Sequence, residues 1–186
     1  MVMKLVILDR DGVINYDSDD YIKTVDEWQP LPGSMSAIAR LTKAGFDVCV
    51  ATNQSGLARG YFDLTTLHQM HHKMISLAEE QGGRIDKIEY CPHLPEDSCY
   101  CRKPQPGLYQ HILSCYPDID PGKVFVVGDS LRDLEAAVAA GCPPILVRTG
   151  KGERTIAKGG LPENTVIVDD LEAAAMHIIY HQHSAD

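Results

Sequence analysis

KLVILDRDG (4–12) decides how this chain is read. A short apolar run with no strict alternation, breaking abruptly into acid, reads as a strand buried on both faces that delivers polar side chains at its carboxyl end. Five later runs have the same character: FDVCVAT (46–52), RIDKIEYC (84–91), KVFVVGD (123–129), PILVR (144–148) and TVIVDD (165–170). Helical patterns lie between them. One opens at Pro32-Gly33-Ser34 and stops at Gly45. The next is capped by Asp63 and stops at Gly82-Gly83. A third starts at Pro106, a fourth runs from Leu131 to Ala140, and a last from Leu171 to Tyr180. Strand and helix alternate throughout, which predicts an α/β domain with a doubly wound parallel sheet and right-handed crossovers. Two stretches, 12–31 and 91–105, stay irregular, and long loops in a compact domain are usually functional.

Composition narrows the function classes. The 186 residues suit one domain, 1–186, and 44% are apolar, a usual globular share. There is no run of 18 apolar residues and no leader-like N-terminus, so no membrane span is expected and a cytoplasmic location follows. The net charge of −9 argues against nucleic acid as a partner. An acidic protein that binds a small anion needs a metal ion or a local knot of Lys and Arg. Nothing in the sequence marks an oligomer interface, which makes a monomer the expectation. In a reducing compartment, clustered cysteines suggest metal rather than disulfides. Cys91, Cys99 and Cys101 cluster, whereas Cys49, Cys115 and Cys142 read as scattered core residues.

In open α/β sheets, ligands bind beyond the carboxyl ends of the strands. There the chain places Asp9-Arg10-Asp11-Gly12, then Thr52-Asn53-Gln54-Ser55-Gly56, then Arg102-Lys103-Pro104, then Gly128-Asp129-Ser130 with Asp133 one turn on. Asp9, Asp11 and Asp129 are candidate ligands for Mg²⁺, a hard cation that prefers oxygen. Thr52, Lys103 and backbone N–H groups near Asp11 are candidates to hold phosphoryl oxygens. The D-x-D spacing projects two carboxyls to one side. Asp9, on the strand, suits a nucleophile. Asp11 suits an acid that protonates the leaving oxygen and later activates water. Each piece alone is weak; four pieces falling at strand ends in chain order make a site.

DRDGVIN, ATNQSG, CRKPQPG and VVGDSLRD resemble the four motifs of the haloacid dehalogenase superfamily of phosphatases, over essentially the whole chain. The resemblance implies Asp9 as nucleophile, Asp11 as acid/base, Thr52 and Lys103 as phosphoryl stabilisers, Asp129 as metal ligand and Asp133 as a supporting acid. Members often carry a cap domain. Here the spacings from Asp11 to Thr52 and from Thr52 to Lys103 are used up by βα units, so a capless enzyme is expected.

CPHLPEDSCYC (91–101) is a second signal. Cys91, His93, Cys99 and Cys101 match a four-ligand tetrahedral Zn²⁺ site, closed to water and hence structural, in a loop that delivers Arg102 and Lys103. The remaining histidines, His71 among them, read as unremarkable. The loop also resembles the zinc-containing branch of the superfamily, in which histidinol phosphatases are a close sister. NQSGLARGYF (53–62) and VRTGKG (147–152) favour the sugar-bisphosphate side of that branch. A small phosphorylated sugar is therefore the expected substrate. Asp17, Ser18 and Tyr21 are candidate sugar contacts, with Asn53, Gln54 and Ser55 beside them. Arg59, Arg102, Arg148 and Lys151 are candidates for a second phosphate. A phospho-receiver module, a nucleic-acid end phosphatase and a catalytically dead zinc module are the rivals. The D-x-D spacing, the acidic charge and the complete motif set count against them in turn.

Overall fold

The computed structural model describes residues 2–184. Six strands, β1 (Lys4–Leu8), β2 (Phe46–Asn53), β3 (Lys87–Cys91), β4 (Phe125–Gly128), β5 (Pro144–Val147) and β6 (Val166–Val168), form one sheet in the order β3-β2-β1-β4-β5-β6. Every neighbouring pair is parallel. The chain steps outward from β1 to β3, returns to β4 beside β1, and steps outward again. β1 and β4 are thus neighbours whose onward chains leave in opposite directions, which opens a crevice at their carboxyl ends.

Strand alternation builds the two cores. Val6 and Leu8 join the cluster that includes α1 (Ser34–Lys43), α2 (Leu64–Glu80) and α6 (Leu171–Ser184). Leu5 and Ile7 join the cluster of α3 (Gly107–Ser114) and α4 (Leu131–Ala139). All four side chains are at most 1% exposed, and each such burial stabilises by roughly 1.5–3 kcal/mol. The doubly wound parallel sheet expected from the sequence is the fold observed. Among the described residues no separate cap occupies the intervals between the motifs.

Four local readings change. β3 begins at Lys87, because Asp86 turns its side chain to accept the Val48 N–H at 2.9 Å and pairs with Arg84. A short helix, α5 (Gly152–Lys158), follows β5, hidden in the sequence behind the glycines at 150 and 152. The last helix continues past Tyr180 to Ser184. Cys115 is exposed rather than part of the core.

The 12–31 loop is irregular yet anchored. Val13, Ile14 and Trp28 are fully buried. Lys73 of α2 donates to the carbonyls of Val25 at 2.9 Å and Trp28 at 2.6 Å. The exposed middle of the loop, 16–20, is thereby held beside the crevice.

Candidate active site

The alternation along β1 continues past its end and sorts the motif. Asp9 keeps sheet pairing through its N–H to Val127 O at 2.9 Å and turns to the α4 side. Arg10 turns to the α2 side. Asp9 meets Lys103, whose ammonium donates to Asp9 Oδ1 at 3.1 Å, Asp133 Oδ1 at 2.8 Å and Ala51 O at 2.6 Å. These three acceptors match its three N–H groups. Lys103 is therefore seen holding the nucleophile candidate and its neighbour, the arrangement from which any contact to a phosphoryl group starts. Burial opposes its charge, but Asp133 and Asp9 keep its pKa well above the usual lysine value.

Asp9, Asp129 and Asp133 bring carboxylate oxygens within 4.8 Å of one another. Asp133 is fully engaged: Oδ1 takes Lys103, and Oδ2 takes the N–H of Asp129 and of Ser130 and the Ser130 hydroxyl. Despite burial, Lys103 and Ser130 hold its pKa below the usual carboxylate value. Burial and the neighbouring Asp133 push Asp9 up to about 7, and burial and Asp9 raise Asp129 well above a normal aspartate. Two buried acids destabilised as anions, beside a third already neutralised, are an electrostatic demand for a cation. The donor set is all carboxylate oxygen and fits Mg²⁺. Backbone crowding aims Asp129: a Cβ on Gly12 would lie 2.0 Å from Asp129 Oδ2, and one on Gly150 would lie 2.4 Å from it. The Lys151 N–H donates to the same oxygen at 2.9 Å.

The Asp11 side chain, expected among the metal ligands, lies outside this acidic trio. Its Oδ1 accepts Arg10 Nε at 2.9 Å and Asn15 Nδ2 at 2.8 Å, and pairs with Arg10 Nη2 at 2.9 Å. Gln54 Nε2 bridges Asp11 Oδ2 at 3.3 Å and Thr52 Oγ1 at 3.0 Å. The side chain is thus held by Arg10, Asn15 and Gln54, and the third member of the trio is Asp133.

Asp9, Asp11, Thr52, Asn53, Gln54, Ser55, Arg102, Lys103 and Asp129 all line one cleft, with Asp17, Ser18 and Tyr21 of the 12–31 loop forming a wall. Asn53 faces Lys103: its Oδ1 accepts the Lys103 N–H and its Nδ2 reaches the Lys103 carbonyl. Asp17 pairs with Lys151 at 3.4 Å. Arg59 stands outside the lining, exposed over the Tyr21 ring at 5.7 Å. Arg148 is turned away, paired with Glu153 and Asp169. Arg132, passed over in the sequence, lines the cleft with Arg102, whose pKa is lowered by burial and by the Arg132 charge. Its position one residue before the supporting acid in SLRD was the available signal. Arg10 and His71 were also missed.

The 91–101 loop gathers four donors. Cys91 Sγ lies 3.4 Å from His93 Nδ1 and 3.6 Å from Cys99 Sγ; Cys101 Sγ lies 3.3 Å from His93 Nδ1 and 3.8 Å from Cys99 Sγ. Disulfide sulfurs would be about 2.05 Å apart. A tetrahedron with Zn–S bonds of about 2.3 Å has edges near 3.8 Å, so the spacing fits zinc. Burial opposes it, but the Arg102 N–H and the neighbouring sulfurs pull the Cys99 thiol down to about 7. Arg102 also donates to His93 O at 3.4 Å, which ties the loop to the cleft.

Known proteins resemble this chain over nearly its full length. The chain is 59% identical over 177 residues to the D-glycero-β-D-manno-heptose-1,7-bisphosphate 7-phosphatase of Pseudomonas putida, covering 95% of this chain and all of that one. It is 57% identical to the enzyme of the same name from Pseudomonas aeruginosa, covering 96% and 99%. The chain belongs to the D-glycero-β-D-manno-heptose-1,7-bisphosphate 7-phosphatase family. The HAD-hydrolase-like family profile matches residues 100–174. Within the heptose bisphosphatase family, the crystal structure of the Bordetella bronchiseptica D,D-heptose 1,7-bisphosphate phosphatase, complexed with magnesium and phosphate, superposes with a TM-score of 0.94 at 56% identity, covering 96% of this chain and 99% of that one. The Burkholderia thailandensis structure superposes at 0.74 with 48% identity, covering 95% and 98%. Membership in the heptose bisphosphatase family makes the chain a phosphatase of haloacid dehalogenase fold, and the sugar-bisphosphate side of the sequence expectation prevails over the histidinol side.

Proposed function

We propose that the protein removes the C7 phosphate of D-glycero-β-D-manno-heptose 1,7-bisphosphate through an aspartyl-phosphate intermediate, in the synthesis of heptose nucleotide precursors of lipopolysaccharide core or surface-layer glycan. The observation that carries this reading is a single cleft with Asp9, Lys103 and Asp129 gathered in it and two guanidiniums, Arg102 and Arg132, along the same lining. One phosphate is to be transferred at the acids; the other needs cations elsewhere.

Asp9 attacks phosphorus with a carboxylate oxygen, and the P–O bond to C7 breaks. Asp11 gives its proton to the departing oxygen. Asp11 then takes a proton from water, the water oxygen attacks phosphorus, and the bond to Asp9 breaks to release inorganic phosphate and restore the carboxylate. Lys103 keeps Asp9 oriented and favours its ionised form against burial and the Asp133 charge. The Thr52 hydroxyl, which receives Gln54, offers its hydrogen to a phosphoryl oxygen. Mg²⁺ held by the Asp9 and Asp129 carboxylates, when bound, supplies charge neutralisation for the phosphoryl group. Asp17, Ser18 and Tyr21 face the sugar, with Asn53, Gln54 and Ser55 at its other side and Arg59 at the rim.

Zinc at Cys91, His93, Cys99 and Cys101 closes the loop at 91–101 and presents Arg102 and Lys103. The single sheet and its crevice support one phosphatase domain over 1–186; its action as a monomer in the cytoplasm rests on the sequence reading. No helix among the described residues is long and apolar enough to cross a membrane.

Phosphorus NMR of the reaction tests this. Loss of the C7 phosphomonoester signal with the C1 signal retained is the expected result. Release from C1 first, or faster turnover of histidinol phosphate, would sink it.

A further inference from the structure

Arg10 is the feature of this molecule with the least obvious reason to exist. Its side chain is 0% exposed, in a position where strand alternation calls for an apolar residue like Val6 or Leu8. A buried guanidinium is strongly unfavourable unless paired and hydrogen-bonded. Its partners are specific. Nε and Nη2 both lie 2.9 Å from Asp11 Oδ1. Nη1 lies 3.2 Å from His71 Nε2 and 3.9 Å from Met70 Sδ. Arginine can only donate, so His71 Nε2 is an acceptor and the imidazole carries its proton on Nδ1. His71, 6% exposed on α2, is thus a neutral buttress behind the guanidinium. Burial and the Arg10 charge hold its pKa down near 3.

The consequence falls on the two oxygens of Asp11. Oδ1 accepts Arg10 Nε at 2.9 Å and Asn15 Nδ2 at 2.8 Å, two donors for its two lone pairs, while Arg10 Nη2 stands beside it as an ion-pair contact without a hydrogen bond of its own. Oδ2 has one long contact, Gln54 Nε2 at 3.3 Å, and that amide is closer to Thr52. A proton on Asp11 has no room on Oδ1. We propose that Arg10, backed by His71, is a positioning residue that confines the Asp11 proton to Oδ2, the oxygen on the Thr52–Gln54 side of the cleft, and so aims general-acid catalysis at the leaving oxygen. When that proton leaves, the P–O electron pair goes to the departing oxygen. The Asp11 carboxylate left behind is already paired with Arg10. The inference rests on the acid/base reading of Asp11 given above.

Leaving-group dependence tests it. An alkyl phosphate needs a proton to leave, whereas p-nitrophenyl phosphate does not. The quantity kcat/KM reports steps only through phosphoryl transfer, so the later hydrolysis of the aspartyl phosphate does not enter. Heptose 1,7-bisphosphate and glucose 6-phosphate serve as alkyl substrates, the second so that failure of the heptose assignment leaves the test intact. With saturating Mg²⁺, Arg10→Gln and Asp11→Asn are each expected to lose on the order of 100-fold with the alkyl esters and less than about 5-fold with the aryl ester. A milder pair guards against misfolding of Arg10→Gln. His71→Leu should lose about 10-fold on alkyl esters alone, and His71→Gln, whose amide oxygen can accept from Nη1, should recover most of that loss. Equal losses on both ester types in the Arg10 and His71 variants, with Asp11→Asn still selective, would remove the positioning role alone. Equal losses in Asp11→Asn would remove the acid reading and the positioning role with it.

Discussion

Asn53 and Lys103 hold each other through a reciprocal pair: the Lys103 N–H donates to Asn53 Oδ1 at 3.1 Å, and Asn53 Nδ2 donates to the Lys103 carbonyl at 3.3 Å. An amide at the end of β2 thereby sets the backbone from which the Lys103 ammonium reaches Asp9. Misplacement of a positioning group by about 1 Å can reduce turnover by about 100-fold. Asn53→Ala is expected to lower kcat by roughly 10- to 100-fold with KM changed little, and Asn53→Asp, which keeps only the acceptor, to fall between. Steady-state kinetics beside a melting curve check this. A change confined to KM would leave Asn53 only its proposed sugar contact and remove the positioning of Lys103.

Magnesium should stabilise the protein more at higher pH. Burial and Asp133 raise Asp9 to about 7 from 3.8. A raised acid binds a proton in the folded state that the unfolded chain has released. The metal-free protein therefore has its full contribution from Asp9 below about pH 4 and loses it as pH rises through 7. Bound Mg²⁺ offsets that loss. The Mg²⁺-induced rise in melting temperature is expected to be several degrees larger at pH 8 than at pH 5.5. A rise independent of pH would contradict it.

The 91–101 loop should contain one zinc per chain, measured by elemental analysis. Cys101→Ser is expected to lower zinc content and the melting temperature, since metal affinity in such a loop is folding free energy. Turnover should fall too, because Arg102 hangs on the loop through Cys99 Sγ at 3.3 Å and His93 O at 3.4 Å. Full activity in a zinc-free, folded variant would show that the loop does not present Arg102 and Lys103.

His71 should contribute to acid sensitivity. Its pKa, lowered to about 3 by burial and by Arg10, means that the unfolded chain takes up a proton below about 6.5 that the folded protein refuses. Stability from this group is present above pH 6.5 and is lost as pH falls towards 3. His71→Gln is expected to flatten the fall in melting temperature between pH 6.5 and 4.5. An unchanged slope would mean that other groups dominate that limb.

What could be read in the sequence was whatever depends on chain order. β1 to β6, the crevice beyond β1 and β4, and the cleft residues Asp9, Thr52, Lys103 and Asp129 follow from apolar runs ending in polar motifs. What could not be read depends on which way a side chain turns once packed. Asp11 sits two residues from Asp9, yet Arg10 and Asn15 draw its carboxylate out of the acidic trio. His71 resembles its neighbours His68 and His72 in sequence, but only it faces inward from α2 onto Arg10. Arg132 and Arg148 both follow strands, and only the former lines the cleft, because Glu153 of the unpredicted α5 and Asp169 capture the latter. Tertiary pairing of charges has no period to detect.

Asp129 Oδ2 occupies space that any side chain at Gly12 or Gly150 would claim. The two positions contribute no side chain to the reaction, yet the space and the positive φ at each leave room for glycine alone. In a saturation library scored for activity, both should survive as glycine alone, while rim positions such as Arg59 accept several amino acids. The freedom of this enzyme to acquire new substrates therefore lies in its wall and rim; the ground beneath Asp129 is closed to exploration.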